Sequence, residues 1–234
     1  VLIMAKAVAI RRDANLIERL VFSKTFWLFF VIIGFSVPIY KSVNRTLPAP
    51  LPVLKKVPTF KLTNSFNKSF GTDELKGRIY IANFIFTNCP SSCLRLTGEM
   101  QKIQKRVRGL GKKVALVSFS VDPINDTPPV LFKYARKMHA NPHIWTFLTG
   151  NKQDMKDIII DGFNVPMGEL EEVEGLLGED TVTMFDIAHT EKFALVDHDG
   201  NIRGYYDSTK DQINQMMIDI GLLVNRHEFY TASN

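Results

Sequence analysis

Past residue 45 this chain has no net charge. Residues 46–234 carry 22 Lys/Arg against 22 Asp/Glu, and the formal excess of +5 resides in residues 1–45, which hold seven Lys/Arg and two Asp/Glu. A folded region without basic excess excludes reading that excess as a nucleic-acid-binding surface. Cysteine is almost missing: Cys89 and Cys93 are the only two. Three residues separate them, so the Cys-X-X-Cys signature usual in thiol–disulfide exchangers is absent. Charge is missing altogether from Thr25 to Tyr40. No small-X-small cleavage pattern follows that stretch, which argues against a removed signal peptide. No internal repeat is visible, so the chain reads as one domain with extensions.

What is there begins with that uncharged stretch. Residues 25–40 are apolar and slightly shorter than the roughly 20 residues of a spanning helix. Val21 and Phe22 lengthen it if Lys24 snorkels to the interface. Lys6, Arg11, Arg12, Arg19 and Lys24 precede it, against Asp13 and Glu18. The positive-inside rule then predicts residues 1–24 in the cytoplasm, a transmembrane anchor over 25–40, and the rest across the membrane. Pro48, Pro50 and Pro52 make 41–56 a tether. The domain is expected over 57–226, with 227–234 as a tail.

Within the domain the pattern alternates. Ile79 to Phe86 reads as a buried strand, Leu94 to about Arg108 as a helix, and Val114 to Val121 as a second buried strand. Pro128 and Pro129 open a helix to about His139. A short strand at 145–148 and a helix at 152–160 follow. Residues 192–197 and 202–206 form a hairpin, and a last helix spans 210–224. Phe60, Leu62, Phe66 and Phe70 suggest an earlier hairpin with Asn64 and Asn67 near its turn. Residues 73–77 form one helical turn ended by Gly77. Parallel strands joined by helices, then an antiparallel hairpin, predict an α/β fold: a mixed sheet covered on both faces. Glu169, Glu171, Glu172, Glu174, Glu179 and Asp180 fall in twelve residues with no Lys or Arg. That segment reads as a solvated insertion, the rival being an acidic dock for a basic partner.

The chemistry centres on Cys89 and Cys93, at the turn from the first buried strand to its helix. Spacing i, i+4 brings helical Cα atoms to about 6 Å, which suits either a disulfide or two thiolates on one soft metal ion. A purely structural bridge gains little from closing so short a loop. A thiolate at a helix N-terminus is stabilised by the dipole and free N–H groups, and Cys89 is the better placed. Five histidines could add nitrogen: His139, His143, His189, His198 and His227. Residue type alone does not rank them.

Four stretches do. Asn83 to Cys93, Ser120 to Pro128, the pair His189-Thr190, and Leu195 to Gly200 match the SCO/SenC family in order. The chain resembles Sco-type copper proteins of thioredoxin-like fold over about residues 55–225. That resemblance implies copper as the bound metal, with Cys89, Cys93 and His189 as ligands. It makes Asp122 and Asp126, in Val121-Asp122-Pro123 to Asp126-Thr127-Pro128, neighbours of the site. It implies delivery of copper to the dinuclear copper site of cytochrome c oxidase subunit II. Further expected partners are a thiol reductant and another copper chaperone. Two positions depart from the family pattern: Leu94 stands where Pro is usual, and Ala188 where many members have Asp. Segment 167–184 is also longer than in simple members.

The rival class is enzymatic. A thiol–disulfide oxidoreductase would use Cys89 and Cys93 as its redox pair without His189. A thiol peroxidase would need an activating Arg, and Arg95 is the sole close candidate. A redox- or copper-sensing surface protein is a third reading. The expected compartment is a bacterial inner membrane, single pass, with the domain in the periplasm. The alternative is the mitochondrial inner membrane facing the intermembrane space; few Ser or Thr and two acids in residues 1–24 favour the bacterial one.

Overall fold

The computed structural model describes residues 23–43, 49–88, 92–165, 170–173, 182–185 and 192–232. For 42–43, 92–94, 170–173, 182–185 and 226–232 it describes the backbone alone. The chain divides into two units, Val1–Pro50 and Leu51–Asn234.

In the first unit, helix α1 (Lys24–Val43) contains the predicted anchor and extends it at both ends. Phe29, Phe30, Ile32, Phe35 and Ile39 are all exposed on it. A helix that is apolar all round has no stripe with which to seek a soluble core. At 20 residues it spans about 30 Å, the thickness of a bilayer's hydrocarbon layer. It is long and apolar enough to cross a membrane.

The second unit starts earlier than its sequence suggests. Strand β1 (Lys55–Lys56) lies inside the stretch expected to be tether, yet it pairs with β10 (Asn201–Asp207). The main-chain N–H of Leu54 also donates to the Ile202 carbonyl. The remaining strands of the sheet are β2 (Lys61–Asn64), β3 (Ser69–Gly71), β4 (Ile79–Ile85), β5 (Val114–Ser120), β6 (Trp145–Thr149) and β9 (Lys192–Val196), in the order β1-β10-β9-β4-β5-β6-β2-β3. Pairs β4–β5 and β5–β6 are parallel. Strand β9 joins β4 antiparallel, with Tyr80 opposite Val196 and Ala82 opposite Ala194.

Alternation along β4 explains the two cores. Ile79, Ile81 and Ile85 face one side, Tyr80, Ala82 and Phe84 the other. On the first side they meet helices α3 (Ser92–Val107), α4 (Pro128–Lys137) and α6 (Lys210–Ala232) through Leu96, Met100, Leu131, Met216 and Ile220. The short helix α2 (Thr72–Leu75) and α5 (Lys152–Lys156) cover the second with Leu75, Met155, Ile158 and Phe163. Helix α5 continues as a π-turn over Asp157–Gly162. In the first core, Ser118 Oγ donates to Asn83 Oδ1 at 2.6 Å and accepts from Trp145 Nε1 at 2.8 Å. The three parallel strands are thus tied by side chains as well as by their ladder.

Apart from the sheet, β7 (Leu170–Val173) pairs antiparallel with β8 (Val182–Phe185). Glu171 and Glu172 belong to β7. The acidic segment therefore contributes one strand of a two-stranded ribbon, a pairing its charge pattern did not announce. Helix α6 runs to Ala232 instead of ending near Val224.

The β9–β10 turn is organised by one buried carboxylate. Asp197 Oδ1 accepts the main-chain N–H groups of Asp199 and Asn201 at 2.9 and 2.8 Å. Its Oδ2 accepts Arg203 Nε at 2.6 Å, and Arg203 Nη1 donates to the Leu51 carbonyl. Burial opposes ionisation of Asp197, but the donors from Asn201 and Arg203 outweigh it and hold the carboxyl below its usual value. A depressed folded-state pKa contributes stability that is full above the unfolded value of about 3.9 and lost as pH falls through the folded one. Asp197→Ala should cost about 3 kcal/mol, because the half-buried Arg203 and two turn N–H groups lose their acceptor. Urea unfolding at neutral pH reads that loss. Repeated toward about pH 3, it should find the gap between wild type and Asp197→Asn closing. A gap independent of pH would refute the assignment.

Candidate metal centre

Strand β4 ends at Ile85, half-buried Phe86 and Thr87 follow, and exposed Asn88 leads toward the first cysteine. Cys89 lies outside the described residues. Cys93 is the second residue of α3, with its backbone alone described. His189 also lies outside them, three residues before β9. The described scaffold fixes where these segments enter and leave.

Because β9 runs antiparallel to β4, its first residue sits at the sheet end where β4 finishes. Cys89 is four residues beyond Ile85, and His189 three residues before Lys192. Extended chain covers at most about 3.6 Å per residue. Both segments are thus tethered within about 15 Å of two neighbouring strand ends.

The other histidines with described side chains belong to the opposite end. His198 follows β9, and its carbonyl accepts the N–H of Gly77, just before β4 begins. His139 and His143 lie between α4 and β6, ahead of parallel strands that start together. Seven residues of β4 separate the two ends by roughly 20 Å. His227 is 17 residues into α6, roughly 26 Å along a helix that starts near the end of β10. Among the described residues, no three His, Cys, Asp or Glu side chains gather as a metal site.

Beside the cysteine turn lies the loop from Val121 to Thr127. The Val121 N–H continues the parallel ladder by donating to the Ile85 carbonyl at 2.9 Å. Asp126, 1% exposed, turns its carboxylate toward Thr87. Oδ1 accepts the Thr87 N–H at 3.1 Å and its hydroxyl at 2.5 Å, and Oδ2 accepts Ser120 Oγ at 2.6 Å. Burial pushes the Asp126 carboxyl above its ordinary value, while donors from Ser120 and Thr87 oppose that rise. Asp122 turns the other way. It accepts the Asn125 side-chain amide at 2.7 Å and shapes its own loop. Of the two carboxylates expected near the site, Asp126 makes the described link to the cysteine turn. Sequence reading passed over Thr87 and Ser120, whose roles depend on that pairing. The signal available for Thr87 was its place two residues before Cys89.

Arg95, the activating cation a peroxidase would need, is exposed on α3. Two thiolates and an imidazole form a soft, nitrogen-containing donor set that suits Cu(I) and accommodates Cu(II).

A mixed sheet with helices on both faces and a cysteine pair at a β–α junction defines a thioredoxin-like protein. A family model described as SCO1/SenC matches residues 50–224, and the chain belongs to that family. The SCO1 protein homolog of Bacillus subtilis is 32% identical over 161 residues, 68% of this chain and 78% of the relative. A Stutzerimonas stutzeri protein named for copper binding is 29% identical over 156 residues, 66% of this chain and 71% of that one. Among solved structures, a SCO1/SenC family lipoprotein from Bacillus anthracis superposes with a TM-score of 0.63 at 29% identity, covering 76% of this chain and 99% of that one. BsSco, described as a member of the Sco family of cytochrome c oxidase assembly proteins with a disulfide switch, gives 0.60 at 29% identity, covering 75% and 98%.

Proposed function

We propose that this chain is a membrane-anchored copper carrier that supplies the dinuclear copper site of cytochrome c oxidase subunit II. Cys89 and Cys93 bind the ion as thiolates and His189 as a neutral imidazole. The observation that carries this reading is topological. The cysteine turn leaves β4 and the His189 segment enters β9 at one end of the sheet, while His139, His143 and His198 are at the other. The names of relatives support it: one for copper binding, another for cytochrome c oxidase assembly.

The chemistry follows from the donors. Both thiols must be reduced and deprotonated before loading, so thiol redox gates the cargo. Oxidation to a disulfide removes both sulfur ligands at once. The disulfide switch described for BsSco also favours a second reading, a thiol–disulfide oxidoreductase acting on partner cysteines through the same pair. Helix α1 would hold the domain on the periplasmic side of a bacterial inner membrane, with the basic segment before it in the cytoplasm.

Two assays test carrier and location separately. Reduced full-length protein, loaded anaerobically, should hold one Cu(I) per chain and pass it to the copper-free soluble domain of subunit II. In spheroplasts, a membrane-impermeant maleimide should label its cysteines. Retained copper, or labelling only after lysis, would refute the corresponding part.

A further inference from the structure

We infer that Asp126 is a positioning residue for the cysteine pair: it clamps Thr87 and thereby sets the turn that presents Cys89. This rests on the copper-binding reading of Cys89, Cys93 and His189. A hydroxyl and a main-chain N–H of one residue converge on a single buried carboxylate. That carboxylate is itself fixed from behind by Ser120 Oγ, the last residue of β5. Ser120 Oγ in turn accepts the Asp122 N–H at 3.1 Å, and the Asp126 N–H donates to the Asp122 carbonyl at 2.9 Å. The anchor is thus a closed loop of hydrogen bonds built on a buried strand.

A clamp gripping only a side chain would leave the backbone free to pivot. This one holds the N–H as well, two residues before Cys89, where the chain has left the β4 ladder. Fixing main chain there removes freedom that the cysteine turn would otherwise lose on binding an ion or closing a disulfide. Outer-shell groups that orient ligands typically carry 10–100-fold in metal affinity.

The substitutions grade the clamp. Asp126→Ala removes the acceptor of all three donors, the Thr87 N–H and the hydroxyls of Thr87 and Ser120. Thr87→Val keeps the N–H bond and loses the hydroxyl. Thr87→Ser keeps both. In the full-length protein in detergent, Cu(I) affinity measured with a competing chelator should fall about 10–100-fold in Asp126→Ala. It should fall less in Thr87→Val and stay at wild type in Thr87→Ser. A second readout is independent of copper: the equilibrium in which glutathione disulfide oxidises the two thiols to a disulfide and yields two glutathione thiols. A loosened turn brings the sulfurs together less often, so Asp126→Ala should shift this equilibrium toward the dithiol, about tenfold or more.

Loss of melting temperature with affinity and thiol equilibrium unchanged would make Asp126 merely structural and overturn the inference. Should Asp126→Ala fail to fold, Thr87→Val decides by the same two readouts. If the wild type binds no copper, the carrier reading fails, and the thiol equilibrium alone then judges the clamp.

Discussion

Replacing either Cys89 or Cys93 by Ser is expected to abolish high-affinity Cu(I) binding, while the fold survives. A single thiolate is a poor site for a soft ion, and a serine hydroxyl is a hard donor that does not replace it. Both positions adjoin the N-terminus of α3, a 16-residue helix whose first-turn N–H groups favour negative charge. Removing one sulfur therefore takes away a ligand and an anion that a helix N-terminus favours. The folding cost is small by comparison, because the packing of α3 rests on Leu96, Met100, Ile103 and Val107. Affinity should drop by several orders of magnitude, while melting temperature moves little. Competition against a chelator of known Cu(I) affinity reads the first, and thermal unfolding of the copper-free proteins reads the second. A Cys93→Ser protein holding copper as tightly as wild type would disprove the two-thiolate site.

The parts of the fold legible in sequence were those whose signals are local. Runs of buried strand residues marked β4 and β5, and the proline pair marked α4 within two residues. Asn64 and Asn67 announced their turn: Asn64 Oδ1 accepts two main-chain N–H groups, and Asn67 takes a positive φ of 56°. Missed features depend on distant partners. Lys55 and Lys56 look like tether because a lysine pair carries no strand signal, and only β10 makes them an edge. The ribbon of β7 and β8 brings together residues about a dozen positions apart across an acidic stretch. The π-turn of α5 is a backbone choice with no residue signature in Asp157-Ile158-Ile159-Ile160.

The site divides in the same way. The cysteine pair can be proposed from sequence because a spacing of four suits two sulfurs on one helical turn. His189 could be proposed only through a motif, since nothing local to it announces the antiparallel register of β9 against β4. Asp126 illustrates a third case. The family resemblance implied a neighbour of the site, but the partner it grips is 39 residues earlier. No periodicity links two such positions.

The result that separates a copper carrier from a thiol exchanger concerns His189. Thiol–disulfide exchange needs an attacking and a resolving sulfur, so a missing imidazole should leave it largely intact. Cu(II) favours nitrogen more than Cu(I) does, so a site of two thiolates and one imidazole should lose much of its Cu(II) affinity. His189→Ala is therefore expected to form the Cys89–Cys93 disulfide as wild type does, yet to lose the Cu(II)–thiolate absorption band. Geometry supplies the controls. His198 is in the turn beside the start of β4, and His139 and His143 lie before β6, roughly 20 Å from the cysteine end. Alanine at each of these three should leave the band unchanged. An unchanged band in His189→Ala, with loss at any of the three controls, would mean that the third ligand is misassigned. If no histidine mattered and the protein reduced disulfides catalytically, the exchanger would replace the carrier, and helix α1 would tether a reductase instead.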